Sequence, residues 1–157
     1  LSPDDEADVS APVTWRWSNL PIPEAHVAGL LVGWCLQAIR PRRIAVGRWR
    51  RPVGLALSGL GIATICWATL EVGDADIEQP GALVTTGPYA RSRNPMYVGW
   101  SLLYLGLALL TNARWHLLVF PVVWVATHRE VRREERDLEV AFGEAYRAYR
   151  RSVRRYL

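Results

Sequence analysis

The residues of this chain best suited to chemistry stand in two short stretches. The first is Gly87-Pro88-Tyr89-Ala90-Arg91-Ser92-Arg93-Asn94-Pro95-Met96-Tyr97-Val98-Gly99-Trp100, and the second is Arg133-Glu134-Glu135. The first opens as a glycine-proline turn and carries Arg91 and Arg93, whose guanidinium forks suit carboxylate or phosphate. Pro95 stops any helix from running in from before it. The stretch then feeds an apolar run from Trp100 to Leu110. A polar, arginine-bearing loop joined to such a run suits a site at a membrane surface better than a soluble core.

The second stretch lies in a helical run. Val131, Glu135, Leu138 and Phe142 fall at steps of four, three and four, which is one helical face. Glu135 therefore points where the apolar residues point, and Glu134 lies on the flank. A carboxylate on that face needs a partner, because burying an unpaired charge is costly. Two readings stay open at this point. One is an ion pair with Arg91, Arg93 or Arg114, the last excluded if the segment between them spans a bilayer. The other is that Glu134 and Glu135 bind a cationic or hydroxyl-rich ligand beside Arg93. Beyond Gly143, an expected helix break, Tyr146, Tyr149, Val153 and Tyr156 recur at helical spacing. Arg147, Arg150, Arg151, Arg154 and Arg155 lie around them. A basic amphipathic helix of this kind rests on an anionic membrane or closes over a site, and the surface anchor is the plainer expectation.

Four apolar blocks must position these stretches: 25–39, 53–72, 97–111 and 115–127, with C-terminal helices over 128–157. The second carries no charge until Glu71 and is long enough to cross a hydrocarbon core of ~30 Å at ~1.5 Å per residue. The third and fourth reach about 22 Å or less at that rise, joined by a tight turn at Asn112-Ala113-Arg114. The expected fold is all-α: an integral membrane protein of about four transmembrane helices, the last two a short hairpin, with a cytoplasmic C-terminal helical segment. The rival is a soluble bundle. Against it, Ser58, Thr64 and Thr69 do not share a face of the second block, and a helix apolar all round is buried or in lipid. A length of 157 residues fits one domain over 25–157, preceded by an acidic, proline-rich arm over 1–24 that carries Trp15 and Trp17.

The mean hydropathy of +0.02 hides this pattern, because it averages apolar blocks with arginine-rich ones. All nineteen basic residues are arginine, and they gather at the block ends. Anionic lipid headgroups are then the expected partners rather than nucleic acid. If all four blocks cross, Arg16, Arg91, Arg93 and nine tail arginines share one side, against seven arginines on the other. The positive-inside rule places that first side, with both termini, in the cytoplasm. The arginine cluster at 40–51 objects to this. Segment 73–86 is a connector, or its Asp74, Asp76 and Glu78 face a cation. No cleavable signal peptide pattern is visible. Cys35 and Cys66 sit inside apolar blocks as small hydrophobes, with neither metal-ligand spacing nor a disulfide framework. No Ser/His/Asp or Cys/His set is evident, and no glycine-rich strand-to-helix fingerprint occurs, which excludes a soluble Rossmann-type enzyme.

Together with Phe142-Gly143-Glu144-Ala145-Tyr146 and Tyr149, the two stretches resemble the membrane methyltransferases of the isoprenylcysteine carboxyl methyltransferase and phospholipid N-methyltransferase group. The likeness covers residues 81–157, with both motifs in order and at the right spacing. It implies S-adenosylmethionine as methyl donor, bound at the cytoplasmic end of the hairpin under the C-terminal segment. It also implies a lipophilic acceptor from the bilayer, a phospholipid headgroup amine or an isoprenylcysteine-like carboxylate. By this resemblance Gly87, Pro88, Tyr89, Arg93, Asn94, Pro95, Tyr97, Gly99, Glu134 and Glu135 form the cofactor site, with Arg93, Asn94 and Glu135 at the chemistry and no metal. Glu134 and Glu135 would hold the cofactor's polar groups, Arg93 its carboxylate or a neighbouring glutamate, and Tyr89 and Tyr97 would line the pocket. Gly59-Leu60-Gly61 is similar to a glycine pair used at the cofactor by phospholipid methyltransferases, although close helix packing accounts for it more simply.

One position departs from the group's pattern. Asn94 stands where the family reads Arg-His-Pro. Asparagine can donate and accept hydrogen bonds, but it cannot act as a base near neutral pH. Methyl transfer from a sulfonium is an in-line displacement, so the protein mainly has to align donor and acceptor and exclude water. An acceptor carboxylate needs no base, whereas an amine must first lose a proton. Membrane sterol reductases share the arginine-proline-tyrosine motif, which leaves an NADPH-dependent reductase as one alternative. A non-catalytic membrane protein with a basic lipid-binding tail is another.

Overall fold

A computed structural model describes residues 23–44, 47–72 and 83–157. The acidic arm apart from Pro23 and Glu24, and the acids of the 73–82 connector, lie outside the described residues. Five α-helices follow in order: α1 Glu24–Ile39, α2 Arg50–Val72, α3 Pro95–Leu110, α4 Arg114–Phe142 and α5 Glu144–Ser152, with a 3-10 turn Gly87–Ala90 before α3. Among the described residues the chain is all-helical, apart from an isolated parallel bridge between Ser92 and Arg154.

The apolar blocks reappear as α1, α2, α3 and the first half of α4. The expected boundary near residue 128 does not exist: α4 runs unbroken for 29 residues, about 43 Å at helical rise. Its charged second half continues the same hydrogen-bond ladder, because nothing between Thr127 and Glu139 is a helix breaker. Gly143 ends it with φ of 52°, as expected of the break. The tight turn holds too, with Asn112 in the left-handed region at φ 56°. Among the described residues α2 is the one helix long and apolar enough to cross a membrane by length and composition, and α1 and α3 are shorter apolar helices.

Adjacent helices run antiparallel in two close pairs, and small residues set the approach. A Cβ on Gly61 of α2 would come within 2.7 Å of the Gly99 carbonyl oxygen and of the Leu103 nitrogen on α3. Gly99 in turn faces Ile65 and the Gly61 carbonyl. Helix backbones approach this closely only where side chains are absent. Gly59 has nothing near its Cβ position, so of the glycine pair Gly61 packs helices and Gly59 does not. α1 meets α4 in the same manner, with the His116 ring lying where a Cβ on Gly33 would stand.

The bundle interior holds polar groups that apolar periodicity does not reveal. His26, buried on α1, lies 3.1 Å from Ser101 Oγ of α3 and 3.4 Å from Thr127 Oγ1 of α4. Ser101 donates to the Tyr97 carbonyl at 2.8 Å, so the imidazole donates from Nε2 and accepts at Nδ1. Tyr104, also buried, donates to the His116 carbonyl at 3.1 Å. The outer faces of α1, α2 and α4 instead expose large apolar side chains, including Leu31, Leu55, Leu60 and Val122.

Candidate active site

The opening loop takes its shape from two local devices. Gly87 has φ of 56°, and the Glu71 carboxylate fills the space a side chain would need, so only glycine fits there. Pro95 is the first residue of α3, where its missing N–H loses no helical bond. Asn94 takes the N-cap position, yet its side chain does not cap the helix. It turns away, donating from Nδ2 to the Arg155 carbonyl at 3.1 Å and to Glu135 Oε1 at 3.4 Å. A good capping residue that leaves its cap unmade marks a position where the site overrides local preference.

Glu135 is the hub. It is 6% exposed. Its Oε1 accepts from Arg93 Nε at 3.1 Å and Nη2 at 2.8 Å. Its Oε2 accepts from Arg155 Nε at 3.0 Å and Nη2 at 2.8 Å. Burial by itself pushes this carboxyl up, but the hydrogen bonds and charges of Arg155 and Arg93 together outweigh it and hold the group below the usual carboxylate range. Arg93 also donates from Nη1 to the Val153 and Arg150 carbonyls at 2.6 and 3.2 Å, and from its backbone to the Arg154 carbonyl at 2.9 Å. Of the two readings left open by the sequence, the ion pair with Arg93 is realised. Arg91 stacks over Trp67 instead, at 5.6 Å, and Arg114 begins α4 at the opposite end of the bundle.

Arg155 was not singled out from sequence, because the end of the chain does not continue the helix. The expected single face of Tyr146, Tyr149, Val153 and Tyr156 is therefore corrected. α5 stops at Ser152, and Val153 is extended at φ −122°, ψ 136°. The carbonyls of Arg150, Val153, Arg154 and Arg155 instead accept from Arg93, Asn94 and Ser92. The result is a strap lying across the loop, fastened at its end by Tyr156, whose hydroxyl lies 3.0 Å from His128 Nδ1 and whose ring packs on Trp124. Nor does the tyrosine face of α5 point outward as a surface anchor. Tyr146 and Tyr149 are buried against the site, and Tyr149 donates to the Tyr89 carbonyl at 2.7 Å. Burial pushes the Tyr149 phenol up to about 12. It raises Tyr89 as well, helped by Tyr149 and the carboxylates of Glu134 and Glu71.

Glu134 differs from its neighbour. The residue as a whole is exposed, but its carboxyl is crowded by protein, and Oε1 accepts from the Tyr97 hydroxyl at 2.5 Å. Burial raises its pKa, Tyr97 opposes that, and the nearby carboxylates Glu130, Asp137 and Glu135 add to it. Its Oε2 makes no hydrogen bond among the described residues. The Tyr146 hydroxyl is likewise buried and has no partner among them.

The structure thus brings Gly87, Pro88, Tyr89, Arg93, Asn94, Pro95, Tyr97, Glu134 and Glu135 to one end of the bundle. Gly99, placed at the cofactor by resemblance, is turned into the contact between α2 and α3, because its missing Cβ lets the Gly61 carbonyl approach. Among the described residues no group of three or more potential metal ligands forms. Glu135 is neutralised by two guanidinium groups, whereas Glu134 keeps one carboxylate oxygen without a hydrogen bond among the described residues.

The sequence from residue 49 to 145 matches the phospholipid methyltransferase family, which takes in more than half of the chain and reaches from the start of α2 past the break at Gly143. The chain belongs to the phospholipid methyltransferase family. A 72-residue segment of the chain is 38% identical to the protein-S-isoprenylcysteine O-methyltransferase of Schizosaccharomyces pombe, covering 45% of this chain and 30% of that protein. The family match contains the site residues from Gly87 to Glu135, while Tyr146, Tyr149 and the strap lie beyond its end.

Proposed function

We propose that this family member moves a methyl group from S-adenosylmethionine to a lipophilic acceptor at a membrane surface. The carrying observation is Glu134. Its Oε1 is oriented by Tyr97, and its Oε2 makes no hydrogen bond among the described residues. These groups fit a ligand that offers hydroxyl and cationic ammonium donors, as S-adenosylmethionine does. That molecule supplies an electrophilic methyl on a sulfonium. Glu134 and Tyr97 hold its donors. Arg93, Glu135 and Arg155 keep the loop and strap in register around it, and the strap excludes water. Arg93 already makes four side-chain hydrogen bonds within the chain, so its part is to organise the site. Asn94 cannot take a proton. If the acceptor is an amine, Glu134, raised by burial and bonded to Tyr97, is the carboxylate we assign to receive one. If it is a carboxylate, none is needed.

The same reading places α1, α2, α3 and the first half of α4 across a bilayer, with the site on the cytoplasmic face and the acceptor entering laterally. The many large apolar side chains exposed on α1, α2 and α4 support this, since lipid rather than water suits such faces. At 16 residues each, α1 and α3 reach about 24 Å, so the bilayer thins around them or their ends lie in the headgroups. The acceptor is a phospholipid headgroup amine or an isoprenylcysteine-like carboxylate. The test is to incubate the solubilised chain with labelled S-adenosylmethionine and a membrane lipid extract, and to ask which fraction gains label. Glu134→Gln should lower cofactor affinity about tenfold or more in a calorimetric titration, from the loss of charge-assisted bonds. Unchanged affinity would place the cofactor elsewhere.

A further inference from the structure

The opposite end of the bundle carries a second feature. The segment from Arg40 to Arg51 and the turn at 111–115 contain seven arginines and not one acidic residue. The two segments are stitched together. Trp115 Nε1 donates to the Arg40 carbonyl at 2.7 Å, the Arg114 amide donates to the Arg42 carbonyl at 3.0 Å, and the Ile44 amide donates to Asn112 Oδ1 at 3.0 Å. The Arg42 guanidinium lies over the Trp115 ring at 5.8 Å. Arg50 turns inward onto the last carbonyls of α3, which leaves Arg40, Arg42, Arg43 and Arg114 exposed on one stiff platform. Every ion pair among the described residues involves Glu135, Glu139 or Glu144, all at the other end of the molecule. Among the described residues the platform arginines therefore make no ion pair, and neither segment supplies a carboxylate to offset them. Indoles frame them as they do at a membrane interface, Trp49 being 66% exposed beside Arg48.

We infer that this platform binds the phosphate of an anionic phospholipid in the leaflet opposite the active site, with Arg42, Arg43 and Arg114 as its principal ligands. The inference rests on the bilayer placement proposed above but not on methyl transfer. Charge complementarity selects the occupant: a guanidinium fork matches a phosphodiester geometrically, and a net-anionic headgroup leaves that charge uncancelled, whereas a zwitterionic one brings its own cation. The two stitched backbones hold the arginines close together before any lipid arrives, so little ordering is needed on binding.

The test uses the full chain in detergent with equal amounts of phosphatidylglycerol and phosphatidylcholine, and counts retained lipid by native mass spectrometry. The chain should retain phosphatidylglycerol about tenfold over phosphatidylcholine, with the preference fading as salt is raised. Arg42→Gln with Arg43→Gln and Arg114→Gln should bring the ratio to parity. Arg43→Gln alone, at a side chain with no hydrogen bond or ion pair among the described residues, should lower it about threefold without touching the fold. Arg147→Gln with Arg151→Gln, at the other end, should leave it unchanged. The proposal is overturned if the unmodified chain shows no preference, if the platform variants keep it, or if the tail variant abolishes it. A chain that stays monodisperse without detergent removes the bilayer placement and this proposal with it, while a chain that retains lipid but transfers no methyl group counts only against the methyltransferase reading.

Discussion

Glu135→Gln is the sharpest test of how the site is held together. The substitution keeps the shape of the side chain but removes the charge that Arg93 and Arg155 share, leaving two guanidinium groups facing each other across a neutral amide. The Arg93 and Glu135 side chains are 8% and 7% exposed, a buried pair, while Arg155 is 33% exposed and partly screened. Removing one partner of a buried pair costs ~3–5 kcal/mol. Screening at Arg155 favours the lower end, about 3 kcal/mol, which is on the order of 100-fold in the population of the detached strap. The assay is hydrogen–deuterium exchange of peptides covering residues 150–157 in detergent. The pH dependence gives a second readout. The Glu135 carboxyl is held below its ordinary value in the folded chain. Its contribution is therefore fully present above the ordinary glutamate range and is lost as pH falls through the folded value. Strap exchange in the unmodified chain should rise on acidification, and in Glu135→Gln it should be fast already and flat over the same range. Exchange within threefold of the unmodified chain, or the same acid profile in both, would refute the hub assignment.

Two further outcomes follow from single contacts. Tyr97→Phe removes the 2.5 Å bond to Glu134 and should weaken S-adenosylmethionine binding by about 1–2 kcal/mol, roughly 5- to 30-fold by calorimetry, with strap exchange unaltered. Gly61→Val should sharply lower the thermal midpoint in detergent, because even its Cβ would lie 2.7 Å from the Gly99 carbonyl oxygen, whereas Gly59→Val, with open space around it, should unfold at nearly the midpoint of the unmodified chain. Equal effects from the two valines would mean that the contact between α2 and α3 is not as close as described.

Local signals made much of the candidate site legible. Gly87, Pro95, Gly143 and the apolar blocks act through backbone geometry and hydropathy, which depend on immediate neighbours. The inward direction of Glu135 followed from helical spacing alone, whereas its partner stayed open among Arg91, Arg93 and Arg114 until the fold brought Arg93 to it. Asn94 showed as a departure from its family's pattern, but not as an N-cap diverted to the strap. His26 and His116 gave no signal, because a lone histidine in an apolar block does not disturb its periodicity. The tail was misread for a physical reason. The run Tyr146, Tyr149, Val153, Tyr156 is compatible with a helix, and only the competing donors of Arg93, Asn94 and Ser92 end it at Ser152.

The sequence by itself determined an all-α chain, the near-boundaries of α1, α2 and α3, the family, and which end of the bundle carries its polar motifs. Each of these follows from periodicity, turn chemistry or motif spacing, all written along the chain. The tertiary structure decided which glutamate is neutralised and which stays open, that Gly99 packs helices, that the last residues form a strap, and that Arg155 completes the hub. These depend on which donors reach which carbonyls across the bundle. Burial makes such pairings strong, and the order of residues along the chain does not specify them.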